Sequence, residues 1–281
     1  NAEGGTAKIT GGQFFDSEGE TLSVSGNLGF QLGESGFLNL TAFHRRSDYT
    51  SVGDGQISVR NLDGTLVSSI PTAFKPIYEA LDLAGINGGQ AKSDLSIGFL
   101  NAGYDFGGVE LYAFGDIARR VGYAYQGYRV PNRICKVASD PATCFAGTGL
   151  TGMVPQQNVI QDEYSITGGL RGDLGETSWD LAVGYGSDRN AIWTLDSANR
   201  SLFIDTGFTP TDFYDGAFKL TQFNVTLDLK HDVEVGFYEP LTVAVGAEYR
   251  RETYAISPGD ISAGSIWRTS GRRRGSIATA S

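Results

Sequence analysis

Arginine and aromatic residues in a few segments of this 281-residue chain are the side chains best suited to recognition chemistry. A guanidinium can donate paired hydrogen bonds to an anionic group, and Tyr or Trp rings can stack on cations or on sugar rings. These residue types therefore suit an anionic or sugar-containing ligand, although a role in packing would use the same side chains. The candidate binding residues are Arg45, Arg46, Arg119, Arg120, Tyr123, Tyr125, Tyr128, Arg129 and Trp193.

Two cysteines, Cys135 and Cys144, lie close together in a polar segment with Pro141 between them. This spacing favours a short loop closed by a disulfide in an oxidising compartment, and two free thiols are the alternative. A zinc site is not expected, because the two histidines, His44 and His231, fall in other segments.

No catalytic or cofactor-binding motif stands out. The Gly-x-Ser-x-Gly element of hydrolases and the spacing of an EF-hand calcium loop are both absent from the sequence. We therefore expect neither an enzyme nor a cofactor. The formal net charge of −10 argues against nucleic acid as a partner, because a phosphate backbone is bound by basic surfaces.

The dominant pattern is alternation of apolar and polar residues, which is typical of β-strands with two different faces. In residues 21–32, for example, Leu22, Val24, Leu28 and Phe30 alternate with Ser23, Ser25, Asn27 and Gly29. The alternation predicts nine strands, at about 6–15, 21–32, 37–46, 94–106, 109–118, 163–174, 178–187, 222–235 and 241–253.

Short and long connections alternate along the chain. Short turns are expected near 33–36, 107–108, 175–177 and 236–240, and long loops over roughly 47–93, 119–161 and 188–217. Bacterial outer-membrane barrels have short turns at one end and long loops at the other. A change of phase near Phe99 and Leu100 indicates a bulge or a misplaced strand boundary.

The length of the strands decides between two architectures that share this alternation. A soluble β-sandwich also alternates apolar and polar residues, but its strands are usually about 5–6 residues long. Strands of about ten residues, tilted by about 40°, span the ~25 Å apolar band of an outer membrane. The prediction is an all-β fold, an antiparallel transmembrane β-barrel that is partial, with about nine strands of a larger barrel. In such a barrel the candidate arginines and tyrosines could instead face lipid headgroups or pack within loops.

Four segments resemble the barrel of TonB-dependent receptors. They are GQFFDSEGET (12–21), NAGYDF (101–106) with VELYAFG (109–115), YSITGGLRG (164–172) and VGAEYRRETY (245–254). The resemblance covers residues 4–260 and implies a Gram-negative outer-membrane receptor that imports a scarce nutrient with energy delivered by TonB. The family imports ferric siderophores, vitamins, haem and oligosaccharides, so an anionic siderophore or a sugar would be the ligand of the candidate residues.

Two departures from the family divide the chain. The plug domain that would contact TonB is not found in this sequence, so residues 1–260 are expected to be the N-terminal part of a receptor barrel. Residues 261–281 are expected to be an irregular basic tail that is not native barrel. Two alternatives remain open: a small self-contained outer-membrane barrel acting as a passive pore or adhesin, and a soluble secreted β-rich binding module.

Overall fold

The computed structural model describes residues 3–15, 18–51, 59–61, 63–80, 89–148, 152–236 and 238–264. Within these ranges the fold is dominated by long antiparallel strands. The strands are β1 (Gly4–Gly12), β2 (Thr21–Leu32), β3 (Gly36–Ser47), β4 (Lys92–Asp105), β5 (Val109–Tyr125), β6 (Gln156–Leu174), β7 (Thr177–Leu195), β8 (Phe213–Val233) and β9 (Leu241–Pro258).

These strands form one nine-stranded sheet in which every strand pairs with the next one along the chain. Each pairing is antiparallel, and the register is continuous over almost the full length of each strand pair. The predicted fold class is confirmed: the described chain is all-β and antiparallel, and its nine strands fall where the alternation places them.

The turn between β4 and β5 shows how the sequence fixes a hairpin. Gly107 and Gly108 both have positive φ, at 85° and 117°, which side chains other than glycine rarely adopt. The carboxylate of Asp105 accepts hydrogen bonds from the backbone N–H groups of these two glycines, at 2.8 and 3.2 Å. The predicted turn at 107–108 is therefore confirmed.

The strands are longer than predicted at the end that carries the long loops. Residues 119–125 and 156–161 belong to β5 and β6, and residues 188–195 and 213–217 belong to β7 and β8. The predicted loops 119–161 and 188–217 are therefore too long. The alternation fades there because each face carries both polar and apolar residues. On β7, for example, Arg189 and Trp193 share one face, and Asp188 and Ile192 share the other.

The change of phase near Phe99 and Leu100 marks neither a bulge nor a misplaced boundary, because β4 (Lys92–Asp105) matches the predicted strand 94–106 to within two residues. Strand β4 pairs with β3 and with β5 in an unbroken register through both residues. The phase changes because apolar side chains pass from one face of β4 to the other. A register shift does occur between Ile192 and Trp193 of β7.

The buried core of the described residues lies in the long connections. Val59, Ile70, Phe74, Tyr78 and Cys135 form a buried apolar cluster. Contacts join three connections: the Tyr78 hydroxyl donates to Asn132 Oδ1 at 3.2 Å, and the rings of Phe145 and Phe203 lie 5.5 Å apart. We call the described parts of 48–91, 126–155 and 196–212 the loop cap.

A disulfide joins Cys135 to Cys144 within the loop cap, and the two residues also form an antiparallel bridge. Two short helices lie there as well, α1 (Lys75–Ala80) and α2 (Arg200–Thr206). Among the described residues, no helix is both long enough and apolar enough to cross a membrane.

The chain after β9 turns back onto the loop cap. A 3₁₀ turn covers Ile261–Ala263, and the Asn199 side-chain amide donates to the backbone oxygens of Ser262 and Gly264 at 2.7 and 2.8 Å. The first residues of the predicted tail are therefore ordered against α2. The rest of that tail, residues 265–281, lies outside the described residues, and the proposed division at residue 260 stays a prediction.

Replacing Phe74 by Ala should loosen the loop cap while leaving the sheet intact. The Phe74 side chain is fully buried, and removing a buried ring of this size costs about 3–5 kcal/mol. Amide hydrogen exchange should therefore speed up within 126–148 and stay unchanged in β6–β9. Phe208→Ala is the control, because this ring is 65% exposed. Equal exchange in both variants would contradict a cap held together by the Phe74 cluster.

Candidate functional site

The sheet has two chemically different faces, which the strand register defines. On β7, Trp179, Leu181, Val183 and Tyr185 lie on one face, opposite Leu229, Leu227, Val225 and Phe223 of β8. The same face carries Leu22, Val24, Leu28 and Phe30 of β2 and Val243 and Val245 of β9. We call it the apolar face, and we call the opposite side, which carries Asp180 and Asp228, the polar face.

The apolar face is the more exposed of the two on β7. Leu181 and Val183 are 40% and 45% exposed, whereas Ala182, on the polar face between them, is 8% exposed. This reverses the order of a soluble protein, in which the apolar face packs into a core. The six residues that would have to share a dry centre in a soluble fold, Leu22, Val24, Leu181, Val183, Val243 and Val245, are each at least 40% exposed.

On the apolar face, apolar side chains cover only part of the length of each strand. We call this part of the face the apolar band. On β6, β7 and β9 the band ends in a tyrosine: Tyr164, Tyr185 and Tyr249 respectively. Two residues further toward the loop cap, the same face carries Asp162, Ser187 and Arg251. A band of aliphatic side chains bordered by aromatic rings is the pattern of a β-strand that crosses a lipid bilayer.

On the polar face, charged and hydroxyl side chains form cross-strand networks near the short turns. Arg171 of β6 pairs with Glu110 of β5 through two hydrogen bonds of 2.9 and 2.8 Å. The Tyr112 hydroxyl donates to Asp180 at 2.7 Å, and Asp180 lies directly opposite Asp228 of β8. Glu110, Arg171, Asp180 and Asp228 line a groove of about 600 Å³.

A second polar network lies further toward the loop cap on the same face. Ser165 donates to the Asp116 carboxylate, and Gln161 donates to Asp188 at 3.2 Å. Glu163 of β6 lies directly opposite Asp188 of β7. Acidic residues therefore outnumber basic ones in this part of the polar face, and Arg120 of β5, directly opposite Gln161, places a basic side chain beside them.

Aromatic rings cluster where the strands enter the loop cap. The rings of Tyr49 and Tyr125 lie 4.7 Å apart, the Tyr49 hydroxyl donates to Gln156 at 3.0 Å, and the Lys92 ammonium lies 5.9 Å from the Tyr49 ring centroid. Burial, together with the nearby Tyr125 and Asp48, raises the pKa of Tyr49 to about 12. At the same end of β7 and β8, the rings of Trp193 and Tyr214 lie 4.9 Å apart.

The structure disperses the predicted binding residues over both faces and the loop cap. Arg45 and Arg120 lie on the polar face, where they flank Leu95. The register puts Arg46, Arg119, Tyr123, Tyr125 and Trp193 on the side of the apolar face, beyond its band. Tyr128 and Arg129 belong to the loop cap, where the backbone of Arg129 forms an isolated antiparallel β-bridge with that of Met153.

The predicted residues therefore do not form a single pocket, and their part in ligand binding stays a prediction. The polar-face network of Glu110, Tyr112, Arg171 and Asp180 was missed by the sequence reasoning. Its members occupy the polar positions of their strands, which the alternation does indicate. Their proximity depends on the cross-strand register, which the sequence pattern alone leaves open.

Comparisons with known proteins give distant similarities in structure only. No protein family model matches the chain, and no curated protein matches it either. Among solved structures, the chain is similar to BauA, the ferric preacinetobactin receptor from Acinetobacter baumannii, with 13% identity and a TM-score of 0.43 over 90% of this chain. It is also similar to Fiu, the ferric-catecholate import receptor from E. coli K12, with 12% identity and a TM-score of 0.35 over 90% of this chain.

The chain spans less than half of either receptor, covering 40% of BauA and 49% of Fiu. A third structure, the Vibrio cholerae outer-membrane protein OmpT, has 10% identity and a TM-score of 0.17, with 90% of each chain covered. At these scores none of the three shows the family of this chain.

Alkaline pH should open the loop cap through Tyr78. Burial raises the pKa of Tyr78 to about 12, from its ordinary value of 10.0. Because the folded state holds this proton more tightly than the unfolded state does, its contribution to stability is complete below pH 10 and is lost as the pH rises to 12. Tyr78→Phe should therefore make the loss of near-ultraviolet circular dichroism between pH 10 and 12 less steep.

Tyr238→Phe is the matched control, because this ring is fully exposed. The control should follow the wild-type pH profile. If both variants lose the signal as steeply as the wild type, Tyr78 does not control the alkaline opening.

Proposed function

We propose that this chain forms part of the membrane-embedded wall of a larger Gram-negative outer-membrane β-barrel, in a receptor that imports a scarce nutrient with TonB-coupled energy. The observation that carries the proposal is the exposed apolar band, which is bordered by tyrosines and continues across neighbouring strands. In water, an exposed apolar face of this extent would drive aggregation, whereas acyl chains cover it at no cost.

The open edges of the sheet support a larger barrel rather than a small pore. Among the described residues, β1 pairs with β2 alone and β9 with β8 alone, so the two edges do not meet. An unpaired edge within a membrane leaves backbone N–H and C=O groups without partners, at a cost of several kcal/mol per group. Bacterial barrels have an even number of strands, and further strands would satisfy both edges.

The import function rests on the resemblance to TonB-dependent receptors and on the polarity of the inner side. With the apolar face toward lipid, the polar face lines a lumen, and the loop cap lies at its outer mouth. Arg45 and Arg120 would then face the lumen, where they suit an anionic substrate such as a ferric siderophore. TonB would act through a plug domain.

Cell fractionation combined with uptake assays tests this proposal. The protein should be recovered in the outer-membrane fraction. Deleting its gene should abolish uptake of one labelled ferric siderophore, vitamin or oligosaccharide, and a protonophore should abolish the same uptake in the parent strain. Recovery in the soluble periplasm or the medium would favour a secreted binding module. Uptake that persists in the presence of protonophore would favour a passive pore.

Substituting arginine into the apolar band should destabilise the protein in a bilayer. Leu227 is 40% exposed on the apolar face of β8, and its neighbour Thr226 lies on the polar face. An arginine facing lipid near the bilayer centre costs about 2–4 kcal/mol. Urea titration in phosphatidylcholine vesicles should show this loss for Leu227→Arg and a much smaller one for Thr226→Arg. A larger loss for Thr226→Arg would mean that the lipid-facing side has been assigned to the wrong face.

A further inference from the structure

The polar face carries a second groove, which lies between β6, β7 and β8 and closer to the loop cap than the first. Its volume is about 290 Å³, and its lining includes Glu163, Gly186, Asp188, Gln222 and Asn224. Gly186 of β7 lies directly opposite Gln222 of β8. Because glycine has no side chain, the polar face of β7 is left open at this position and the neighbouring side chains border the space.

Three polar side chains of this groove are left without partners. Glu163, Gln222 and Asn224 are all half-buried, and their side chains form no hydrogen bond with any other residue that the structure describes. Polar groups that are shielded from bulk water are normally hydrogen-bonded to protein, to water or to a ligand. The groove therefore offers an acceptor carboxylate together with two amides that can each donate and accept.

An apolar patch adjoins the groove on the polar face of β8 and β9. Leu220 lines the groove, and Tyr254 of β9 lies directly opposite it. Two residues nearer the loop cap, Phe218 lies opposite Ile256. The rings of Phe218 and Tyr254 lie 6.1 Å apart with their planes inclined by only 16°, and all four side chains are exposed. We call these four residues the β8–β9 patch.

The groove and the β8–β9 patch together restrict the chemistry of an occupant. A cation offers donors only and would leave the amide donors of Gln222 and Asn224 unused. An anion would lie against the carboxylates of Glu163 and Asp188, and Arg120 of β5 is not part of the groove lining. A sugar hydroxyl both donates and accepts, and the C–H face of a sugar ring is apolar enough to pack against aliphatic and aromatic side chains.

We infer that the groove and the β8–β9 patch bind a neutral oligosaccharide. The hydroxyls of one sugar ring would bond to Glu163, Gln222 and Asn224, and the next ring would pack against Leu220 and Tyr254 on the side of the loop cap. The inference rests on the proposed function, in which a substrate passes from the loop cap along the polar face. It selects the oligosaccharide from the ferric siderophores, vitamins and oligosaccharides named there.

Isothermal titration calorimetry of the protein in phosphatidylcholine nanodiscs tests the inference. The probes are four neutral sugars: maltotriose, cellotriose, xylotriose and mannotriose. An anionic complex of ferric iron with catechol and the cation spermidine are the comparison ligands. These six compounds separate a neutral ligand from a charged one at the same site.

Two variants and a matched control locate the binding. Gln222→Ala with Asn224→Ala removes two amides from the groove, and Asn39→Ala with Asn101→Ala removes two amides from the polar face of β3 and β4. Gly186→Val keeps every polar group and places a side chain in the groove. The atoms nearest to an added Cβ at Gly186 lie at 3.7 Å, which is an ordinary contact distance, so the strand should accept this substitution.

The wild type should bind at least one of the four sugars and neither comparison ligand. A typical hydrogen bond is worth a factor of about five in affinity, so the amide variant in the groove should bind that sugar about 30-fold more weakly. Gly186→Val should abolish the binding, and the control on β3 and β4 should stay within about twofold of the wild type.

Binding of none of the four sugars, or equal losses in the groove variant and the control, would overturn the inference. Binding of spermidine or of the ferric complex that the groove variant loses would assign the groove to a charged ligand instead. Protonophore-sensitive uptake of a ferric siderophore without sugar binding would remove the sugar site and leave the import function standing. Sugar binding with uptake that persists in protonophore would remove the TonB-coupled import and leave the site standing.

Discussion

The continuous ladder of hydrogen bonds between antiparallel strands is the constraint on which the rest of this structure depends. Because each strand pairs with the next one in a continuous register, apart from the shift between Ile192 and Trp193 of β7, the side chains of neighbouring strands are sorted onto two faces. Leu181 is therefore held beside Leu170 and Leu227, and Asp180 beside Arg171 and Asp228. The exposed apolar band and the polar face both follow from this sorting.

The location of the buried core has a direct physical reason. A single sheet has no second layer to cover it, so it cannot bury its own apolar face. The long connections can bury theirs, and they do so around Phe74 and Tyr78 with the Cys135–Cys144 disulfide beside them. The molecule thus combines a sheet whose apolar face is exposed with a loop cap that has a buried apolar core.

Much of the sheet could be predicted from the sequence, because alternation and glycine-containing turns are local signals. The turn at Gly107 and Gly108 and the nine strands are visible in this way. The extensions of β5–β8 toward the loop cap were missed, since residues such as Arg119 and Asp162 place charge on the face that is apolar elsewhere in the sheet. The core of the loop cap was also missed, because its contacts, such as Tyr78 with Asn132, join residues far apart in the sequence.

The candidate site was only partly predictable for a related reason. Residue type identified arginines and tyrosines that could bind a ligand, but neighbours such as Arg119 and Arg120 point to opposite faces of the same strand. The pairing of Arg171 with Glu110 and the opposition of Arg189 and Lys219 depend on register, which is set between strands. The distribution of charged side chains between the two faces could therefore be determined only from the strand register.

The most direct test of lipid contact is nuclear magnetic resonance measurement of magnetisation transfer from lipid acyl protons to the side-chain methyl groups of the protein in a bilayer. Because successive side chains point to opposite faces of a strand, this transfer should alternate with period two along β7 and β8, be strong at Leu181, Val183, Val225 and Leu227, and fall away beyond Tyr185 toward the loop cap. Equal transfer to Ala182 and Thr226, or no transfer to any of these residues, would contradict a membrane-embedded sheet.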